Sequence, residues 1–84
     1  MDKGAIPLVK SNIPAGLMCF DSGNYLWGLA KNPWNENRSI GGSSGGEAGL
    51  VSTHGSPVGL GTDVGGSLRT PPAYGGCYGI KPTP

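Results

Sequence analysis

Two serines sit among glycines 24 residues apart: Ser43 in GGSSGG (41–46) and Ser67 at the end of DVGGS (63–67). A serine flanked by glycine has no neighbouring side chains to obstruct it, so a carbonyl carbon can reach the hydroxyl and the surrounding backbone amides together. That combination suits acyl transfer, in which one hydroxyl attacks and nearby N–H groups hold the developing oxyanion. A serine hydroxyl is a poor nucleophile on its own and needs a base. The one histidine, His54, lies in a polar stretch after a predicted helix and reads as a solvated surface residue. A phosphate-binding loop is a different reading of GGSSGG, but the run lacks the G-K-[ST] ending that brings a lysine to phosphates.

The elements that position these serines must be short. Residues 5–10 form a mostly apolar run suited to a buried strand, with Pro7 pointing to a strand end. Ser11, Asn12, Ile13 and Pro14 turn the chain, and residues 21–40 show no sustained period and read as irregular, with Trp27 and Trp34 as packing anchors. Ser44 and Glu47 have the spacing of a capping box, which predicts a helix starting there. Residues 58–61 read as a second short strand and 62–66 as a tight loop. Pro71 and Pro72 suit the first turn of a further helix, and Ile80 a last strand. Alternating strands and helices predict an α/β architecture around a mixed central sheet with flanking helices.

Composition alone points elsewhere. Glycine and proline number 17 and 8 of 84 residues, about 30%, a level associated with disorder. The glycines cluster at turns and show no repeat, which favours a loop-rich piece of an ordered core. Net charge is +1 with 13% charged residues, so no basic stripe offers itself to nucleic acid. No apolar run approaches the roughly 20 residues of a membrane-spanning helix. Cys19 and Cys77 read as two reduced thiols, and an intracellular setting is expected. The sequon at Asn37 reads as chance.

The ordered set GAIPLVKSNIP, NPWNENRS, GGSSGG, GSPVGLGTDVGGSLR and PPAYGGCYGIKPT resembles the amidase signature family across nearly the whole chain. Glu47 in GGSSGGEAG is similar to the branch with fatty-acid amide hydrolases and acetamidases. The family is several times longer, so residues 1–84 are expected to be part of one such domain, truncated at both ends. The resemblance implies a Ser-Ser-Lys mechanism on a small-molecule amide, without cofactor or metal, and a homo-oligomer in the full-length protein.

By the same resemblance Ser67 is the nucleophile and Ser43 the bridging serine, with a cis peptide bond between Gly42 and Ser43. The N–H groups of Val64, Gly65, Gly66 and Ser67 form the oxyanion hole, Asp63 and Arg69 brace that loop, and Gly42 and Ser44 are supporting residues beside Ser43. The plainer readings are a flexible tether or helix cap at 41–46 and an exposed ion pair at Asp63 and Arg69. The family's lysine must be neutral to act as base, which requires lowering a pKa of about 10.4. In the family it lies far upstream of the serine pair. Lys10, 33 residues before Ser43, fits a different segment, and Lys81 falls in the pattern after the nucleophile. Two rivals follow: an inactive fragment or pseudoenzyme lacking the lysine, and the amidotransferase subunit that frees ammonia from glutamine.

Overall fold

A computed structural model describes residues 2–83. Its elements are two short antiparallel ladders and two helices. β1 (Gly23–Asn24) pairs with β2 (Gly28–Leu29), and β3 (Lys31–Asn32) with β4 (Asn35–Ser39). α1 spans Gly45–Ser52 and α2 Thr70–Gly75. The result is a small mixed α/β assembly.

The region expected to be irregular contains both ladders. Asparagine builds each turn. Asn24 Oδ1 accepts from the N–H groups of Leu26 and Trp27 at 3.0 and 2.9 Å, and Asn32 Oδ1 accepts from Trp34 N–H at 2.9 Å. Such side-chain turns replace a backbone hydrogen bond. The second ladder then docks on the end of α2. Asn32 Nδ2 donates to the Tyr74 carbonyl at 2.8 Å and Trp34 Nε1 to the Gly75 carbonyl at 2.6 Å. Two carbonyls that a helix end leaves open are thereby satisfied. Trp34 therefore ties the loop to α2 through its indole N–H, but its ring is exposed, as is that of Trp27, so neither is the apolar packing anchor expected.

Three expected strands do not form. Residues 5–10, 58–61 and the segment around Ile80 have no ladder partner among the described residues, and Ile6, Leu8, Val9, Val58, Leu60 and Ile80 are exposed. An extended apolar run becomes a strand only where a neighbour takes its N–H and C=O groups. The capping box does not form either. Ser44 is the N-cap of α1, but its side chain makes no cap hydrogen bond. Ser44 Oγ instead donates to the Thr62 carbonyl and accepts from Thr62 N–H, at 3.3 and 3.2 Å. Glu47 takes Ser11 Oγ–H and Leu60 N–H. Long-range partners have won over local ones.

α2 starts as expected from its prolines and ends at Gly76, whose φ of 78° gives the left-handed cap that suits glycine. The two helices meet over small residues. A Cβ at Gly75 would lie 2.5 Å from Ser52 Oγ and 3.0 Å from Ile40 Cδ1. Ile40 and Pro71 are fully buried there, with Ala48 beside them. The core is thus a thin layer between α1, α2 and the end of β4, and both serine loops spring from it.

Candidate active site

Ser43 lies just before α1, in the turn that leaves β4. It is 2% exposed, and the Gly42–Ser43 peptide bond is cis, as the resemblance implied. Gly42 has backbone on top of it: a Cβ would lie 2.7 Å from the Cys19 carbonyl oxygen and 2.8 Å from Asp21 N and C. Backbone cannot step aside as a flexible side chain can. Gly42→Ala is therefore expected to destabilise the fold by about 1–3 kcal/mol, the range for overpacking a tight site. The shift in urea midpoint of the folded protein measures it.

The second serine loop is organised by Asp63. Its carboxylate accepts from Gly66 N–H at 2.7 Å, Leu68 N–H at 3.0 Å, and Arg69 Nε and Nη2 at 2.9 and 3.1 Å. The chain between residues 63 and 68 has to curl around this one side chain. Gly66 takes a φ of 133°, open to glycine and strained for other residues. The ion pair is asymmetric: the Arg69 side chain is 59% exposed, that of Asp63 only 1%. The plainer reading, a freely exposed pair, does not describe it.

The Asp63 carboxyl is held well below the usual carboxylate range. The side-chain hydrogen bonds from Arg69 contribute most; removal from solvent opposes them, and the N–H groups of Leu68 and Gly66 and the Arg69 charge reinforce them. The same hydrogen bonds raise the Arg69 guanidinium. A depressed carboxylate stabilises the fold fully above its unfolded value of about 4, and that stability is lost as pH falls from there toward the folded value. Acid titration of the 63–69 loop, followed by amide exchange at Gly66 and Leu68, should show opening in that window. Asp63→Asn should remove the pH dependence.

The two loops are joined directly. Ser44 N–H donates to the Ser67 carbonyl at 3.2 Å. With the two Ser44 Oγ bonds to Thr62, this one residue holds both ends of the 62–67 loop against the turn that carries Ser43. A cavity of ≈ 440 Å³ opens where the loops meet, and Ser43, Thr62, Val64, Gly65 and Ser67 line it. Its facing wall is residues 16–20, which brings Leu17, Met18 and Phe20. Among the described residues neither Ser43 Oγ nor Ser67 Oγ has a hydrogen-bond partner, and neither do the N–H groups of Val64, Gly65 and Ser67. The Gly66 N–H is taken by Asp63 Oδ1. The residues that carry these two hydroxyls and three free amides thus line one partly apolar space large enough for a small carbonyl compound.

No lysine or histidine lines this cavity among the described residues. Lys10 and Lys81 are exposed, and Lys81 Nζ donates to the Pro82 carbonyl. His54 is exposed, beyond the end of α1, and lines a separate cavity of ≈ 540 Å³ that includes neither Ser43 nor Ser67. Cys19 and Cys77 are both free thiols. The described residues hold no cluster of three or more His, Cys, Asp or Glu placed for a metal, and no helix long and apolar enough to cross a membrane.

Sequence reasoning missed two parts of this site. One is the wall at 16–20, which carries no motif. The other is Ser22, fully buried in a stretch, DSGN, that reads as an ordinary turn.

The model of the family described as Amidase matches residues 1–84. The chain is 52% identical over 81 residues to fatty-acid amide hydrolase 1 of Sus scrofa, covering 96% of this chain and 14% of that protein. It is 47% identical to the vitamin D3 hydroxylase-associated protein of Gallus gallus, covering 96% of this chain and 18% of that protein. With an acetamidase of Aspergillus oryzae it shares 46% identity, covering 95% of this chain and 15% of that protein. The chain therefore spans less than a fifth of these relatives.

Proposed function

The chain belongs to the amidase family, and from that premise we propose that the protein carrying it hydrolyses carboxylic amides through an acyl–serine intermediate on Ser67. The observation that carries the reading is the shared cavity: Ser43 and Ser67, from two separate motifs, line one space with their hydroxyls unpartnered among the described residues. On this reading Ser67 Oγ attacks the amide carbonyl carbon. Its proton passes to Ser43, which hands its own to a neutral lysine, and the relay reverses to protonate the leaving nitrogen. The N–H groups of Val64, Gly65 and Ser67 hold the oxyanion, whereas that of Gly66, expected in the hole, is committed to Asp63; one such donor is worth about 3–4 kcal/mol of transition-state stabilisation. Water then releases the acyl group by the same relay. Asp63, Arg69, Gly42 and Ser44 brace the loops and do not touch substrate. The 84 residues form part of a larger domain built on a mixed central sheet, and the base comes from outside them.

The wall of Leu17, Met18 and Phe20 favours an apolar acyl group over the polar chain of glutamine. That sets a fatty-amide hydrolase, the activity named for the porcine relative, ahead of an amidotransferase subunit. The test is a series of primary amides from acetamide to long-chain fatty amides, with ammonia release as readout. Turnover that rises with chain length is expected. Release from glutamine alone, or from no amide, overturns the reading.

The 84-residue chain by itself should show no amide turnover above buffer, because neither Lys10 nor Lys81 lines the cavity. Turnover by the chain alone that disappears on Lys10→Met would make Lys10 the base.

A further inference from the structure

The Ser43 hydroxyl has no tether of its own among the described residues, so its orientation in the cavity it shares with Ser67 depends on how the backbone on either side of it is held. One side chain does much of that holding. Ser22 lies in the turn before β1, 21 residues upstream of Ser43, and is 0% exposed. Its hydroxyl hydrogen is shared between the Gly41 carbonyl at 2.9 Å and the Ser43 carbonyl at 3.0 Å, and its oxygen accepts from Gly45 N–H at 2.8 Å. These three groups bracket Ser43: the carbonyl two residues before it, its own carbonyl, and the first N–H of α1. Inside the protein, away from water, each would otherwise lack a partner. The site is also filled to contact. Gly45 has no room for a Cβ between Ser22 and Ile40.

We propose that Ser22 is the positioning residue of the bridging serine: its buried hydroxyl fixes the Gly41–Gly45 turn so that Ser43 Oγ points into the cavity toward Ser67. The proposal rests on the serine-relay reading above, in that Ser22 acts through Ser43 and touches neither substrate nor Ser67. A small hydroxyl is required. Alanine leaves two carbonyls and an amide unsatisfied, threonine adds a methyl group where there is no space, and cysteine keeps the shape with a weaker donor.

The experiment uses the intact protein and measures the second-order rate of Ser67 labelling by a fluorophosphonate, with a thermal melt of each variant. Ser22→Ala should slow labelling at least about 10-fold, with Ser22→Cys between it and the wild type, while the affinity of a reversible ketone competitor changes less than about two-fold. The decisive arm is the double variant. If Ser22 works through Ser43, Ser22→Ala should add nothing in a Ser43→Ala background. A general loosening of the fold would slow both backgrounds alike, and that result overturns the proposal, as does a folded Ser22→Ala protein labelling at the wild-type rate. Should Ser22→Ala not fold, Ser22→Cys takes its place in both backgrounds and is judged by the same two outcomes. If the wild type itself fails to label, the functional reading has failed. The positioning is then read from amide exchange at Gly45: at least about 10-fold acceleration confined to residues 41–45 supports it, and none overturns it.

Discussion

Replacing Ser67 by alanine is expected to abolish fluorophosphonate labelling and to lower amide turnover by roughly 10⁴–10⁶-fold, the range seen when a serine nucleophile is removed while the rest of a site survives. The fold should tolerate the change. Ser67 contributes its carbonyl, not its hydroxyl, to the network: it accepts from Ser44 N–H, and its Oγ has no partner among the described residues. On the proposed mechanism the truncation therefore removes the attacking atom and little else. A melt that matches the wild type, together with no label at the active serine by peptide mass spectrometry, is the expected pair of results. Undiminished labelling of Ser67→Ala sinks the assignment, because among the described residues the only other serine lining the cavity is Ser43.

Ser43→Ala should produce a smaller but still severe loss, about 10²–10⁴-fold in the acylation rate, the usual worth of a positioned proton-transfer group. Here too the hydroxyl carries no structural bond, while the backbone of residue 43 is held by Ser22 at its carbonyl. Slow residual labelling at Ser67 separates this variant from Ser67→Ala. The loss should fall on both acylation and deacylation, since in the proposed mechanism the same relay runs forward and back. Burst amplitude and steady-state rate measured together check this. Near-wild-type turnover by Ser43→Ala would remove it from the relay.

The parts of this fold visible in the sequence are those fixed by local chemistry. Paired prolines start α2, a glycine ends it, and Ser44 stands at the head of α1. The 62–66 loop reads as a loop because glycine and aspartate leave few alternatives. What could not be read was decided by distant groups. The ladders between residues 23 and 39 are mostly two residues a strand, too short to show a period. The capping box at Ser44 and Glu47 had the right residues, but Thr62, Leu60 and Ser11 took the side chains. The apolar runs at 5–10 and 58–61 looked like strands and lack, among the described residues, the neighbours that would make them so. In the site, both serines were legible from their glycines, and Asp63 from its motif. Ser22 was not, since its importance lies wholly in three backbone groups about 20 residues away along the chain.

The cavity is built from two kinds of material. On one side stand main-chain turns locked by Ser22, Ser44 and Asp63, where Gly42 has no room for even a methyl group. On the other stands the 16–20 wall, whose large side chains are exposed while its backbone at Cys19 packs closely over Gly42. Inheritance can treat the two differently. The serine side is set by main-chain contacts with no spare room, while Met18 and Phe20 contribute exposed side chains that can change size without touching the hydroxyl-bearing turns. On the proposed function, substitutions at those two positions would change which amide fits while leaving the reacting groups where they are.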